Sequence, residues 1–205
     1  MHPFLRGGVA GRIHFGVKQR RHRGRCPPPA EKDAPSMDVS RLRSALQESR
    51  TQLFALIRPL NEEQFRHAPG DGGWPVAAHL AHLLRVERVF VERTQAALRE
   101  DEPAVASTRV HNDGDPALAQ RLAVPQIIHG MQAARRDLEA LLDGCDDGAL
   151  ERAVRHETLG RMTVRQMAEK MASHEVEHAE AVAAIIPGLP AVPESLPLIP
   201  AQGAR

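Results

Sequence analysis

The sequence predicts an all-α protein built as a four-helix bundle, and three observations carry that reading. Only 3% of the 205 residues are aromatic, with one Trp and no Tyr, while Ala, Leu, Arg and Glu dominate; such a composition favours helices packed through aliphatic side chains over strands. Apolar residues recur at intervals of three and four in four long stretches, which is the period of an amphipathic helix. Each stretch ends at a Pro, a Gly or a capping residue, the punctuation expected of helix ends.

The first stretch opens at Met37 and Asp38, and Val39, Leu42, Leu46, Leu53, Leu56 and Ile57 keep the period until Pro59. A connector follows, containing Asn61, Glu62, Glu63, Gln64 and Phe65 and then Gly70, Gly72 and Gly73. It leads to Trp74 and Pro75, and Pro suits a first helical turn because the N–H it lacks would have no partner there. The second helix is therefore expected from near Trp74 to about Leu98. Leu80, Leu83 and Phe90 form its dry face, with His79 and Glu87 beside them, and Arg85, Arg88 and Glu92 form its wet face. A polar linker, 99–115, and a short helical lead-in over 116–123 precede Pro125, where the third helix begins; Met131, Leu138, Leu141 and Leu142 carry it to Gly144. Residues 144–160 read as a loop. Thr163 followed by Gln166 fits a capping box, so the fourth helix opens there and runs until Pro187 and Gly188. On this helix Arg165, Glu175 and Glu177 read as solvated charges.

Three zones follow. Residues 37–186 form the bundle, long enough for one domain with a real core. Residues 187–205, with Pro190, Pro193, Pro197 and Pro200, form a proline-rich tail. The formal charge of +1 conceals an asymmetry: residues 1–36 hold eight of the 27 Lys/Arg but only Glu31 and Asp33 of the acidic groups, so they carry +6 and the remainder −5. This basic extension lacks apolar periodicity and is expected to be disordered. Its run Lys18, Arg20, Arg21, Arg23 and Arg25 has no aromatic or motif context, which argues against specific nucleic-acid readout. Cys26 and Cys145 lie in different zones and build no disulfide framework. No apolar run approaches the roughly 18 residues needed to span a bilayer. A cytoplasmic protein that does not cross a membrane is expected.

The chemistry concentrates in histidines. His174 and His178 lie on the stripe formed by Met167, Met171, Val182 and Ile185, one turn apart on one face. The second helix offers His79 and His82, three residues apart. A buried imidazole must find hydrogen-bond partners, and one divalent ion shared by three or four of them satisfies that need together. Histidine donors suit several ions, so zinc, nickel, manganese and iron all stand as candidates. Glu87, just over a turn past His82, can orient a ligand imidazole, serve as a base, or close a salt bridge at the bundle end.

The stretches GGWPVAAHLAHLLRVE and TVRQMAEKMASHEVEHAEAV carry a Trp ahead of the second helix, a His eight residues after it, and a His-x-x-x-His pair on the fourth helix. In these features the chain resembles the DinB-like superfamily of metal-binding four-helix bundles over residues 38–186. The resemblance implies that His82, His174 and His178 are the metal ligands, with His79 behind them or as the substitute ligand. It also implies a metal-dependent S-transferase or related enzyme, since members use low-molecular-weight thiols such as bacillithiol or mycothiol: the metal holds the cofactor sulfur as thiolate and aims it at an electrophile. Homodimers are common in the family. Many members carry Ser where this chain has Pro75, a difference that alters the helix cap.

Two enzymatic alternatives and one non-enzymatic one compete. His174-Glu175-x-x-His178 satisfies the zinc-hydrolase signature with Glu175 as base, but Ala181 and Ala184 stand where the extended pattern needs Gly and His, and no sheet edge is predicted to hold a peptide. The run HEVEHAE matches the iron-domain pattern of ergothioneine-forming sulfoxide synthases, without their second large domain. A non-catalytic, stress-associated bundle would close the coordination sphere with a fourth protein ligand, His79. Catalysis requires instead an open position beside a pocket.

Overall fold

The computed structural model describes residues 38–70, 72–107 and 114–191; the basic extension and most of the proline-rich tail lie outside the described residues. The four long helices form as predicted: α1 (Val39–Ile57), α3 (Val76–Arg99), α5 (Val124–Asp143) and α7 (Val164–Ile185). Asp38 caps α1, its side chain accepting from Arg41 N at 2.9 Å. At α7, Thr163 Oγ1 accepts from Gln166 N while Gln166 Oε1 accepts from Thr163 N. Pro75 caps α3 with no side-chain bond, and only its carbonyl accepts from Ala78 and His79. The lead-in before the third helix is α4 (Gly114–Arg121).

Three expected connectors contain more structure than their sequence period reveals. The connector after α1 holds a one-turn helix, α2 (Glu62–Arg66), closed by a capping box between Asn61 and Gln64. It buries Phe65 completely, and Arg66 ties it to α4 by donating to the carbonyls of Ala119 and Leu122 at 2.8 and 2.9 Å. The loop over 144–160 contains α6 (Asp147–Glu151) and strand β2 (Ala153–His156), which turns through Gly160 at φ +72° into antiparallel β3 (Gly160–Thr163). A strand β1 (Ala104–Val105), from the expected polar linker, joins β2 in parallel. Four-residue strands are too short to display alternation, and β1 pairs with a partner 51 residues away, Ala104 with Arg155, so local pattern could not signal this sheet. It is an appendage to a bundle whose class stands as predicted.

The helices do not neighbour one another in chain order. α1 packs along α7, and α3 packs along both α5 and α7, so the order around the bundle is α1, α7, α3, α5. The core contains Leu42, Leu46, Leu53, Leu80, Leu83, Met131, Leu138 and Met171, all at 1% exposure or less. α3 and α5 approach closely at Gly130, where a Cβ would meet Leu84 Cδ2 at 3.0 Å. Among the described residues no helix is long and apolar enough to cross a membrane.

At the middle of the core lies an ionic ring with one member from each long helix. Arg50 of α1 donates to Glu175 Oε1 at 2.5 Å and to Glu87 Oε2 at 2.7 Å; Arg135 of α5 donates to Glu87 Oε1 at 2.5 Å and to Glu175 Oε2 at 2.8 Å. Ser49 donates to Glu175 at 2.6 Å, and the remaining guanidinium N–H groups reach the carbonyls of Met131 and Leu46. Both glutamates are 0% exposed. This corrects the sequence reading at both glutamates: Glu175 is no solvated charge, and Glu87 gives its carboxylate to arginines at the bundle centre, not to an imidazole or a bundle-end bridge. Arg165 is buried as well, with Nε on Glu151 at 3.0 Å. Burial alone would push Glu175 upward, but Arg50, Arg135 and the bond from Ser49 outweigh it and hold the carboxyl below its ordinary 4.5. Burial likewise disfavours the charge on Arg135, and the two glutamates more than reverse that.

Removing one partner of such a ring strands a buried charge, at a cost of about 3–5 kcal/mol. Urea unfolding of Glu175→Gln should show a loss of that size near neutral pH. The native carboxyl titrates below its unfolded value, so its contribution is complete above pH 4.5 and disappears as the pH falls through the depressed native value. The difference between parent and variant should therefore shrink in acid, and a difference independent of pH would show that the ring does not hold Glu175 ionised.

Candidate metal centre

The antiparallel seam between α3 and α7 gathers four imidazoles. His82 Nε2 lies 3.0 Å from His174 Nε2, and His79 Nδ1 lies 2.8 Å from His178 Nδ1. The ring centroids of His174 and His178 are 4.6 Å apart, and those of His82 and His178 4.9 Å. All four side chains are half-buried, because the most deeply buried stripe of α7 runs through Met167, Met171, Glu175 and Val182. At about 100° per residue, Glu175 aimed at the core leaves His174 and His178 on one flank of it, facing α3. Trp74 packs over this flank, its ring 5.5 Å from His79, 5.4 Å from His82 and 6.5 Å from His178, nearly parallel to the last.

His82, His174 and His178 each offer one ring nitrogen, and these atoms lie within 4.8 Å of one another; among the described residues this is the one group of three or more such side chains able to hold an ion. A tetrahedral zinc with Zn–N near 2.0 Å needs nitrogens about 3.3 Å apart, so small rotations of half-buried rings suffice. The 3.0 Å approach of two ring nitrogens, with room for a single proton between them, is an arrangement a cation can replace. The donor set fits a divalent ion.

The hydrogen bonds behind these rings suit the same role. Glu177 Oε2 lies 3.1 Å from His174 Nδ1; a carboxylate only accepts, so Nδ1 carries the proton and Nε2 keeps its lone pair. The bond from His174 also holds Glu177 below its ordinary value. His79 stands in the same relation to His178. Burial, with the nearby His82, pushes its protonation down to about 4, so near neutral pH it can accept from His178 Nδ1. His82 is the exception: Arg85 Nη2 lies 3.3 Å from its Nδ1, and because a guanidinium only donates, this contact puts the His82 proton on Nε2 and must give way before Nε2 can take an ion. Glu177, read from the sequence as a solvated charge, is the carboxylate that stands behind His174; its place three residues after His174, one turn along the same face, was the available signal. Glu87 takes no part.

Two cavities flank the cluster. One, of about 510 Å³, lies between Trp74, His79 and the end of α7 near Ala181 and Ile185. The other, of about 390 Å³, lies between α3, the β2–β3 hairpin and α7, and includes His174 in its wall.

Fold and site thus define a helical bundle with a histidine-lined seam. The family model of the DinB superfamily matches residues 18–182, and the chain belongs to that superfamily. A protein of Geobacillus thermodenitrificans named "Putative metal-dependent hydrolase" is 37% identical over 68 residues, which are 33% of this chain and 38% of that protein; the match thus spans little more than a third of the relative's length. Among solved structures, YfiT from Bacillus subtilis, described as "a probable metal-dependent hydrolase with an unusual four-helix bundle topology", superposes with a TM-score of 0.62 at 17% identity, over 78% of this chain and 93% of its own. TT2238, "a four-helix bundle protein", gives 0.54 at 18% identity, over 71% and 98%. At these identities both structures speak for the fold.

Residues that orient ligand imidazoles typically contribute about 10- to 100-fold in metal affinity. Glu177→Gln and His79→Phe should each weaken zinc binding by that order in competition with a chromophoric chelator, while Glu177→Gln leaves the melting temperature unchanged. Affinities equal to the parent's would remove both residues from the centre.

Proposed function

We propose that His82, His174 and His178 hold one divalent ion with open coordination positions, and that the protein is a metal-dependent enzyme acting through a small exogenous nucleophile. The chemistry we infer is transfer of a low-molecular-weight thiol to an electrophile, the reading that the family resemblance implies. The observation that carries this reading is the position of His79. A closed structural site needs a fourth protein ligand, and His79 was the candidate; its Nδ1 instead lies against His178 Nδ1, while cavities adjoin the cluster on both sides. That is the layout of an open centre.

A divalent ion on three neutral imidazoles keeps its full charge and lowers the pKa of a bound thiol or water into the neutral range. The chain's own residues prepare the place. Glu177 and His79 fix the orientation of His174 and His178, and Trp74 shields one side of the cluster from water. Among the described residues no thiol stands at the cluster: Cys145 lies just past the end of α5, donates to the Leu141 carbonyl, and is pushed up by burial and by Asp146, while Cys26 lies outside the described residues. An external thiol fits this arrangement.

Hydrolysis is the second reading, favoured by the names carried by the relatives from Geobacillus and Bacillus. It cannot follow the His-Glu-x-x-His scheme, because both oxygens of Glu175 are held by arginines and Ser49 inside the core. Water activated at the ion itself would be required.

The test is metal content of untagged protein. The parent should carry about one ion per chain after loading, His82→Ala and His174→Ala should carry none, and His79→Ala should still bind at saturation. Loaded protein is then assayed with thiols and electrophiles, and separately with ester and amide substrates. Failure of the parent to take up zinc, nickel, manganese or iron on titration would overturn the reading.

A further inference from the structure

We propose that the cavity between Trp74, the connector from α2 to α3 and the end of α7 binds an uncharged molecule with an apolar body about the size of one substituted ring. That this molecule is the electrophile offered to the metal centre rests on the reading above; the binding itself does not.

Two stretches of chain build the cavity. Residues of the connector that leads from α2 into α3 stand on one side, and the last turns of α7 with the 3-10 turn Ile186–Gly188 stand on the other. Gln64 Nε2 donates to the Pro190 carbonyl at 3.1 Å and ties the two stretches together. The enclosed space of about 510 Å³ falls within the range of small-molecule sites, about 300–1,000 Å³. Trp74 and Ile185, both half-buried, supply the large apolar surface. Ala181 and Ala184 continue the α7 side, and their small side chains leave width that a larger residue would occupy. His79 also belongs to the wall, and its Nδ1 lies 2.8 Å from His178 Nδ1. A molecule bound here therefore stands one side chain away from a metal ligand.

The charge pattern of the wall selects the ligand. Among the described residues it contains no carboxylate, ammonium or guanidinium, and His67 and His79 are its ionisable members. The cavity beside the β2–β3 hairpin differs, with Arg93, Lys170 and Glu177 in its wall. A charged ligand entering the Trp74 cavity gives up solvation without gaining a counter-charge. An uncharged apolar body loses little on entry and removes the surfaces of Trp74 and Ile185 from water.

Trp74 reports on its own cavity, because it is the one tryptophan of the chain. The experiment titrates metal-free protein at about pH 8, above the ordinary imidazole range, with 4-ethylbenzyl alcohol, 4-ethylbenzoate and 4-ethylbenzylamine. Tryptophan emission and calorimetry are the readouts. The alcohol should shift the emission to shorter wavelength in a saturable way, and each charged analogue should bind about tenfold more weakly. Ala184→Phe fills the cavity and should weaken the alcohol by about the same factor. Leu159→Ser, in the wall of the other cavity, should leave the alcohol unchanged. Both positions are exposed, so neither change threatens the fold. No saturable shift, binding of the acid or the amine as tight as that of the alcohol, undiminished binding in Ala184→Phe, or binding lost in Leu159→Ser would overturn the proposal. The two readings fail separately: alcohol binding to a protein that takes up no metal would sink the metal centre alone, and metal uptake without alcohol binding would sink this site alone.

Discussion

Four charged side chains, one from each long helix, meet where a bundle of this kind would ordinarily place leucines. Around the bundle the order is α1, α7, α3, α5, which leaves α1 opposite α3 and α5 opposite α7. Arg50 and Arg135 bridge both kinds of pair: each reaches an adjacent helix and the helix across the diagonal. Arginine suits this task because its long stem and planar fork can serve two carboxylates at once. A buried ionic ring is weak evidence for stability, since well-packed apolar residues often do as well. It does constrain register, because sliding any helix by a turn would strand a charge in the core.

The histidine seam depends on that constraint. Glu175 lies between His174 and His178 in the chain, and its commitment to the ring sets the rotation of α7 about its axis. With Glu175 at the centre of the buried face, the two histidines fall on the flank facing α3, where His79 and His82 meet them. Glu87 plays the matching part on α3. Charges that serve no chemistry thus determine where the chemistry-bearing side chains stand, and the half-burial of the imidazoles follows from their place at the edge of the core. Edge placement keeps the cluster accessible from two cavities while Trp74 covers it.

The same geometry separates two motifs that coincide in the letters of the sequence. His-Glu-x-x-His describes two histidines on one helical face with a carboxylate beside them, and in a zinc hydrolase that carboxylate must reach water at the metal. Here the face is shared differently: the histidines look toward α3 and the glutamate looks into the core, fully buried and bonded on both oxygens. The acidic residue that does address the site is Glu177, through His174 Nδ1. A carboxylate behind a ligand imidazole raises its basicity and holds its tautomer, a different service from proton abstraction.

The sequence by itself determined the long helices, their caps at Asp38 and Thr163, the class of fold, and the four histidines as the cluster to examine, because helical period, capping chemistry and residue type are local properties. The Trp, His and paired-His pattern also pointed to the superfamily to which the chain belongs. Only the tertiary structure decided that Glu87 and Glu175 are core residues, that Glu177 and not Glu87 backs a histidine, that His79 stands against His178, and that a small sheet grows from an expected loop. The reason is physical. A buried carboxylate and a solvated one look alike until the arginines that neutralise it arrive from positions 37 to 125 residues away, and a four-residue strand becomes a strand only when its partner is beside it.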